Sequence, residues 1–163
     1  MKILGIDPGM AIVGYGLIDF NDDKPVLVTS GSIQTDKNLS DSNRLLEIYN
    51  DLSKLVEQLE PDCASVENLF FFKNQKTVIP VAEARGVIVL AGIERLGEMF
   101  EYTPLQIKQA LTGNGRAEKK QIQFMVKNIL GLDKIPKPDD AADAIAVALT
   151  HLQTNNSLVD NRV

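Results

Sequence analysis

Four carboxylates stand where apolar segments stop or start. Asp7 closes the run Ile3-Leu-Gly-Ile-Asp7, and Glu67 closes Cys63-Ala-Ser-Val-Glu67. Asp140 and Asp143 open the stretch Asp140-Ala-Ala-Asp-Ala-Ile-Ala-Val-Ala-Leu149. A carboxylate at the edge of a core loses hydration, which is costly unless something compensates. Four converging acids would also repel one another unless protonated or bound to cations. Oxygen donors with no His or Cys beside them suit Mg²⁺, with Mn²⁺ as a substitute. Two such ions about 4 Å apart can activate water and stabilise the leaving oxygen in phosphodiester hydrolysis. The expected chemistry is metal-dependent hydrolysis. Each acid also has a plainer reading. Asp140 can cap a helix, Asp143 can sit in a favourable first turn, and Asp7 before Pro8-Gly9 can form a turn. Asp139 is a rival to Asp140 if the register slips by one. All four acids on elements able to converge favour the metal reading.

The elements that must position these acids are legible. Residues 2–7 read as a short buried strand, and Pro8-Gly9 turns the chain. Residues 12–19 form a second strand, whose Gly14 and Gly16 suggest close packing against the first. Asn21 to Pro25 is a turn, and Val26–Gln34 a third strand, completing an antiparallel meander. Residues 39–59 show helical spacing, with Ser40, Asp41 or Ser42 as cap and Pro61 as stop. Residues 62–67 are a fourth strand, 77–96 a helix rich in small residues, and 99–103 a fifth strand. Pro104 starts a helix to about Leu111. A loop over 112–116 leads to a helix over 117–130, and a final helix runs from Asp139 or Asp140 to His151. The tail from Gln153 is polar and expected to fray. This order predicts a single α/β domain over 1–152, a mixed five-stranded sheet with helices on it, followed by the tail 153–163. Sites in open α/β sheets form at the carboxyl ends of strands, where Asp7 and Glu67 fall. Two neighbouring parallel strands ending level would bring them together. Asp140 and Asp143, spaced i,i+3, share one helix face and would complete the cluster.

Composition narrows the class. The chain of 163 residues is 44% apolar and 24% charged, ordinary for a globular domain. No apolar run approaches the ~20 residues of a membrane span, and no signal peptide is expected. Cys63 is the sole cysteine, which excludes an intrachain disulfide and a cysteine metal cluster. A cytoplasmic setting and an inert, buried Cys63 follow as expectations. The net charge of −5 argues against a nucleic-acid partner, but its distribution does not. Residues 1–72 carry 5 basic and 12 acidic side chains, whereas residues 73–127 carry 9 basic and 5 acidic. A basic island in an acidic chain suits a polyanionic partner, or a solvated helix face.

Asp7-Pro-Gly9 with Gly14-Tyr-Gly16 resembles the phosphate loop of actin-like ATPases and sugar kinases, a fold that needs two such domains. A more specific likeness takes in nearly the whole chain. Ile6-Asp-Pro-Gly9 with Gly14-Tyr-Gly16 comes first, then Glu67 with Phe70 and Asn74, then Glu83-Ala-Arg-Gly86. Lys108-Gln109, Gly113-x-Gly115, Glu118-Lys119, Asp140-Ala-Ala-Asp-Ala144 and Thr150-His151 follow in order. The ordered set resembles the RuvC-type Holliday junction resolvases of the RNase H-like superfamily. That resemblance implies an RNase H-like mixed five-stranded sheet. It implies a homodimer that binds four-way junction DNA and cuts two strands of like polarity with Mg²⁺ or Mn²⁺, leaving 5′-phosphate nicks. Asp7, Glu67, Asp140 and Asp143 become the metal-binding catalytic acids, and Phe70, Lys108 and Lys119 the DNA contacts. A branch-migration helicase complex of the RuvA and RuvB type is the implied partner. Other RNase H-like nucleases, acting on RNA–DNA hybrid or structured RNA, and a non-catalytic junction-binding module are the alternatives.

Several residues keep two readings. Phe70-Phe-Phe72 with Lys73 and Lys76 could stack on unpaired bases and hold phosphates, or form a core loop. The loop Gly113–Gly115 would let Lys108 and Lys119 approach a phosphate backbone, with Arg116 and Lys120 adding charge. Ala82 and Gly86, one turn apart, permit close approach of another helix: a dimer partner, as the resemblance suggests, or the chain's own sheet. His151, the only histidine, leans toward the acids or serves the core.

Overall fold

A computed structural model describes residues 1–22, 24–69, 75–154 and 161–163, with residues 75–77 described by backbone alone. Strands β1 (Lys2–Asp7), β2 (Ile12–Asn21) and β3 (Lys24–Gln34) form the expected antiparallel meander. Helix α1 (Asp41–Leu59) follows, and its cap is Ser40, whose side chain accepts from the Asn43 amide. The helix stops at Glu60, which adopts the left-handed conformation. Strand β4 (Cys63–Glu67), helix α2 (Gln75–Leu96), strand β5 (Phe100–Tyr102) and helices α3 (Pro104–Thr112), α4 (Lys119–Ile129) and α5 (Asp139–Thr154) complete the order. Helix α3 begins at Pro104 under a capping box between Thr103 and Gln106. Helix α4 starts later than its periodicity suggests, because the Ala117 amide is taken by the Asn114 carbonyl and Glu118 caps the helix.

The sheet order is β3-β2-β1-β4-β5. Strand β4 runs parallel to β1, with Ile3 beside Cys63 and Ile6 beside Val66, and β5 runs parallel to β4. Side chains alternate across the sheet, so it has two faces of different character. Leu4, Ile6, Val13, Leu17, Ala64 and Val66 turn to α1 and α2, meeting Ile48, Leu52, Val56, Ala84 and Ile88. Ile3, Ile18 and Cys63 turn to α3, α4 and α5.

Helix α5 lies directly on the second face. A Cβ on Gly5 would stand 2.0 Å from the Ala144 carbonyl oxygen, and one on Gly14 would stand 2.1 Å from that of Asp140. The β2 glycines therefore admit a helix, not the neighbouring strand that their spacing suggested. Ala141, Ala142, Ala144, Ala146 and Ala148 are all buried in this contact. Small residues on both sides let helix and strand backbones touch, which fixes the height and rotation of α5 on the sheet.

The end of the tail is not frayed. Arg162 bridges to Phe100 in antiparallel pairing, and the Glu101 amide donates to the Asn161 carbonyl at 2.7 Å. Residues 161–163 thereby pair with β5, because a strand edge offers unpaired amides and carbonyls that the tail backbone satisfies. Among the described residues no helix is long and apolar enough to cross a membrane.

Candidate active site

Asp7 and Glu67 end strands β1 and β4 one residue beyond the Ile6–Val66 pair, so the two acids stand level. Counting back by twos, Asp7 shares its face with Gly5 and Ile3, and Glu67 shares its face with Ser65 and Cys63. That is the α5 face. Helix α5 begins against the same strand ends, since its Asp140 carbonyl rests on Gly14, the β2 partner of Asp7. Asp140 and Asp143 thus sit at a helix start held to the strand that pairs with Asp7.

The electrostatics report the convergence. Burial pushes the Asp7 carboxyl up to about 8, with repulsion from Glu67, Asp143 and Asp140 adding and Lys119 opposing. Burial and Asp143 raise Glu67 to about 7, against the pull of Lys108 and Lys119. Lys119 donates to Asp143 Oδ2 at 2.7 Å, and that contact raises its own ammonium pKa. Asp139 turns elsewhere: Lys137 Nζ holds it at 2.6 Å and lowers its pKa. Asp140, and not Asp139, is among the charges that raise Asp7.

A cavity of about 190 Å³ opens beside the acids. Glu67, Asp143, Lys108 and Lys119 line it, over an apolar wall that includes Ile107, Ile122 and Ala146. Lys108 arrives on α3 and Lys119 on α4. Gln109 ties the loop between them, accepting from the Gly115 amide at 3.1 Å and donating to the Gly113 carbonyl at 2.9 Å. Two of the basic island's cations therefore meet the acids. Others lie apart, because Arg85 pairs with Glu101 and Arg95 with Glu57. The island is not one surface.

Among the described residues no three acids are drawn close enough to grip a single ion. The chemistry of the donor set nevertheless fits a hard dication: neighbouring carboxylates, with Asp7 and Glu67 raised by burial and by mutual repulsion, and no soft donor beside them. His151 is not a member. It is buried, its Nδ1 lies 2.8 Å from the Tyr102 hydroxyl, and its ring lies 4.4 Å from that of Phe100. Burial lowers its pKa, which keeps it neutral in the core. Cys63 is buried and inert, its thiol pushed by burial to about 11. Phe70, Phe71, Phe72 and Lys73 lie outside the described residues, as does the side chain of Lys76. Sequence reasoning noted Arg85 within Glu83-Ala-Arg-Gly86 but gave it no role. The structure brings its guanidinium to the Glu67 carbonyl.

Comparison with known proteins places this arrangement. A family model described as crossover junction endodeoxyribonuclease RuvC matches residues 3–151. A protein of that name from Fusobacterium nucleatum is 52% identical over 157 residues, covering 96% of this chain and 83% of its own length. The structure of RuvC from Thermus thermophilus superposes with a TM-score of 0.91 at 30% identity, covering 100% of both chains. The same protein in complex with a Holliday junction substrate gives a TM-score of 0.88 at 28% identity, again covering 100% of both chains.

Proposed function

The chain belongs to the crossover junction endodeoxyribonuclease RuvC family, and on that premise we propose that it resolves four-way DNA junctions by paired symmetric nicks, in homologous recombination and DNA repair. The observation that carries the reading is the level pair Asp7–Glu67 sharing one field with Asp140 and Asp143, beside a cavity rimmed by Lys108 and Lys119. Residues 1–152 would act as a single nuclease domain, with 153–163 as its tail.

Asp7, Glu67, Asp140 and Asp143 would hold Mg²⁺, or Mn²⁺ in its place. When bound, the metal supplies a water of lowered pKa and stabilises charge on the departing oxygen. The chain's own residues do the rest. Raised pKa values mean that Asp7 and Glu67 retain proton occupancy near neutrality, so loading releases protons and strengthens as pH rises. Lys119 neutralises Asp143 until substrate arrives, then has a phosphate as its alternative partner. Lys108 stands on the same rim. Attack of water on phosphorus with departure of the 3′ oxygen leaves a 5′-phosphate and a 3′-hydroxyl. Phe70, three residues past Glu67, would stack on an unpaired base of the opened junction.

The reading includes a homodimer built on α2. Ile79, Leu90 and Ile93 of that helix are exposed at 66, 60 and 38%, with Leu46 of α1 at 56%. A Cβ on Gly86 would meet nothing within 4 Å. Exposed apolar residues among the charges of Glu83, Glu94 and Arg95 on one helix suit a second copy of itself. Two active sites on one dimer would account for paired nicks. The proposed setting is the cytoplasm, with a RuvA- and RuvB-type branch-migration complex as partner.

Incubation with a synthetic four-way junction, a linear duplex and an RNA–DNA hybrid, with and without Mg²⁺, tests the proposal. Symmetric nicks confined to the junction and dependent on metal are expected. Junction binding with no nick in any metal would sink the enzymatic reading, and preferential cleavage of the hybrid would redirect it to another RNase H-like activity.

A further inference from the structure

The strand end that carries Glu67 is held from the face opposite the acids. Arg85 on α2 donates through Nε to the Glu67 carbonyl oxygen at 3.4 Å, and its other arm forms an ion pair with Glu101 of β5. Glu101 lies beside Val66 in the parallel register, so its side chain emerges on the α2 face, opposite the acids. Both side chains are mostly covered, at 18 and 31% exposure. On the next atom of the same peptide, the Asn68 amide donates to the Tyr102 carbonyl at 2.9 Å. The peptide joining Glu67 to Asn68 is therefore gripped at its oxygen by Arg85 and at its N–H by β5. Strand β4 ends at Glu67, the last residue of its ladder with β5.

We infer that Arg85 is a positioning residue for Glu67: it locks the 67–68 peptide, and with it the direction in which the Glu67 carboxylate leaves the strand. Arg85 lies on the α2 face of the sheet, opposite the acids, and reaches Glu67 through this peptide. Arginine is required because one guanidinium must serve a carboxylate and a carbonyl at once in a fixed fork. Glu101 orients that fork. Groups that orient a metal ligand in this way are worth about 10–100-fold in metal affinity or activity. The inference rests on the reading of Glu67 as a metal ligand.

The test uses the full chain carrying Arg85→Met, Arg85→Lys, or the exchange Arg85→Glu with Glu101→Arg. Three quantities are read: Mn²⁺ affinity by calorimetry without DNA, single-turnover nicking of a four-way junction, and junction affinity in EDTA. Arg85→Met and Arg85→Lys are expected to weaken Mn²⁺ binding and slow nicking by about 10-fold or more, with junction affinity within about twofold of wild type. The exchange keeps an ion pair but has no donor at position 85 for the carbonyl. It should regain the wild-type Tm and not the wild-type Mn²⁺ affinity. Wild-type Mn²⁺ affinity in Arg85→Lys, or recovery of affinity together with Tm in the exchange, would overturn the inference. Should Arg85→Met fail to fold, the other two variants decide it. A wild type that nicks no junction strikes at the proposed function alone, because the Mn²⁺ arm still reads the role of Arg85.

Discussion

The two faces of the sheet use the same strands to opposite ends. Toward α1 and α2, branched and long side chains interdigitate: Leu4, Ile6, Leu17 and Ile33 against Ile48, Leu52, Val56 and Ile88. Toward α5, glycine faces alanine and backbones nearly touch. The first contact is made by large side chains throughout, whereas the second sets a Gly–Ala seam among Ile3, Ile18, Ile145 and Leu149. That seam leaves α5 almost no freedom to slide, because its stops at Gly5 and Gly14 are backbone atoms and not flexible side-chain ends. The acids stand on the second face. Both faces bury apolar side chains, but only the second sets backbone against backbone beside the acids.

Variants that separate these roles test the comparison, ranked by their effect on nicking. Asp7→Asn should lower the single-turnover rate by at least about 10³-fold, on the order of 4 kcal/mol of transition-state stabilisation. It should not lower the Tm of the metal-free protein, since a neutral amide replaces a carboxyl whose charged form burial and the neighbouring acids disfavour. A Tm drop on the scale of a core variant would mean that Asp7 serves the fold. Gly14→Ala comes next. Its methyl meets the Asp140 backbone, which must move, and displacement on the order of 1 Å costs about 10²-fold in rate. Wild-type nicking by Gly14→Ala would show that the face tolerates slack. Leu52→Ala completes the contrast. It should cost about 3 kcal/mol in denaturant unfolding, yet leave nicking per folded molecule unchanged below its melting range.

The same contrast explains what could be read from sequence. Turn chemistry and periodicity gave every element to within a few residues: Pro8-Gly9 ends β1, Ser40 caps α1 and Pro104 opens α3. The acids were legible because Asp7 and Glu67 end two apolar strands that pair in parallel and in level register. Periodicity reports which positions are apolar, not what they meet. Gly14 and Gly16 therefore pointed to a neighbouring strand when the contact is a helix lying over the sheet. Charge counting likewise joined Arg85 and Arg95 to Lys108 and Lys119, although the sheet parts them. The pairing of residues 161–163 with β5 was invisible, because edge pairing uses backbone groups that every sequence possesses.

The smallest expected effect is on stability without metal, and it comes from the acid face alone. Asp7 and Glu67 titrate in the fold near 8 and 7, against ordinary values of 3.8 and 4.5. Between those limits the folded chain holds protons that the unfolded chain has released. Stability must then fall as pH rises. It is fully present below about pH 4, declines across the interval, and is lost once pH passes the folded values. The two groups share one cluster, so the total is on the order of a few kcal/mol rather than the sum of both shifts. Thermal unfolding in EDTA from pH 5 to 8.5 should show a declining Tm. Mg²⁺ should flatten the decline, because a bound dication replaces the protons as the compensating charge. Asp7→Asn in EDTA should flatten it as well, whereas Leu52→Ala should lower the whole curve without changing its slope. A wild-type Tm that rises with pH over this range would mean that the acids are not crowded. The division of labour between the two faces would then lose its electrostatic half.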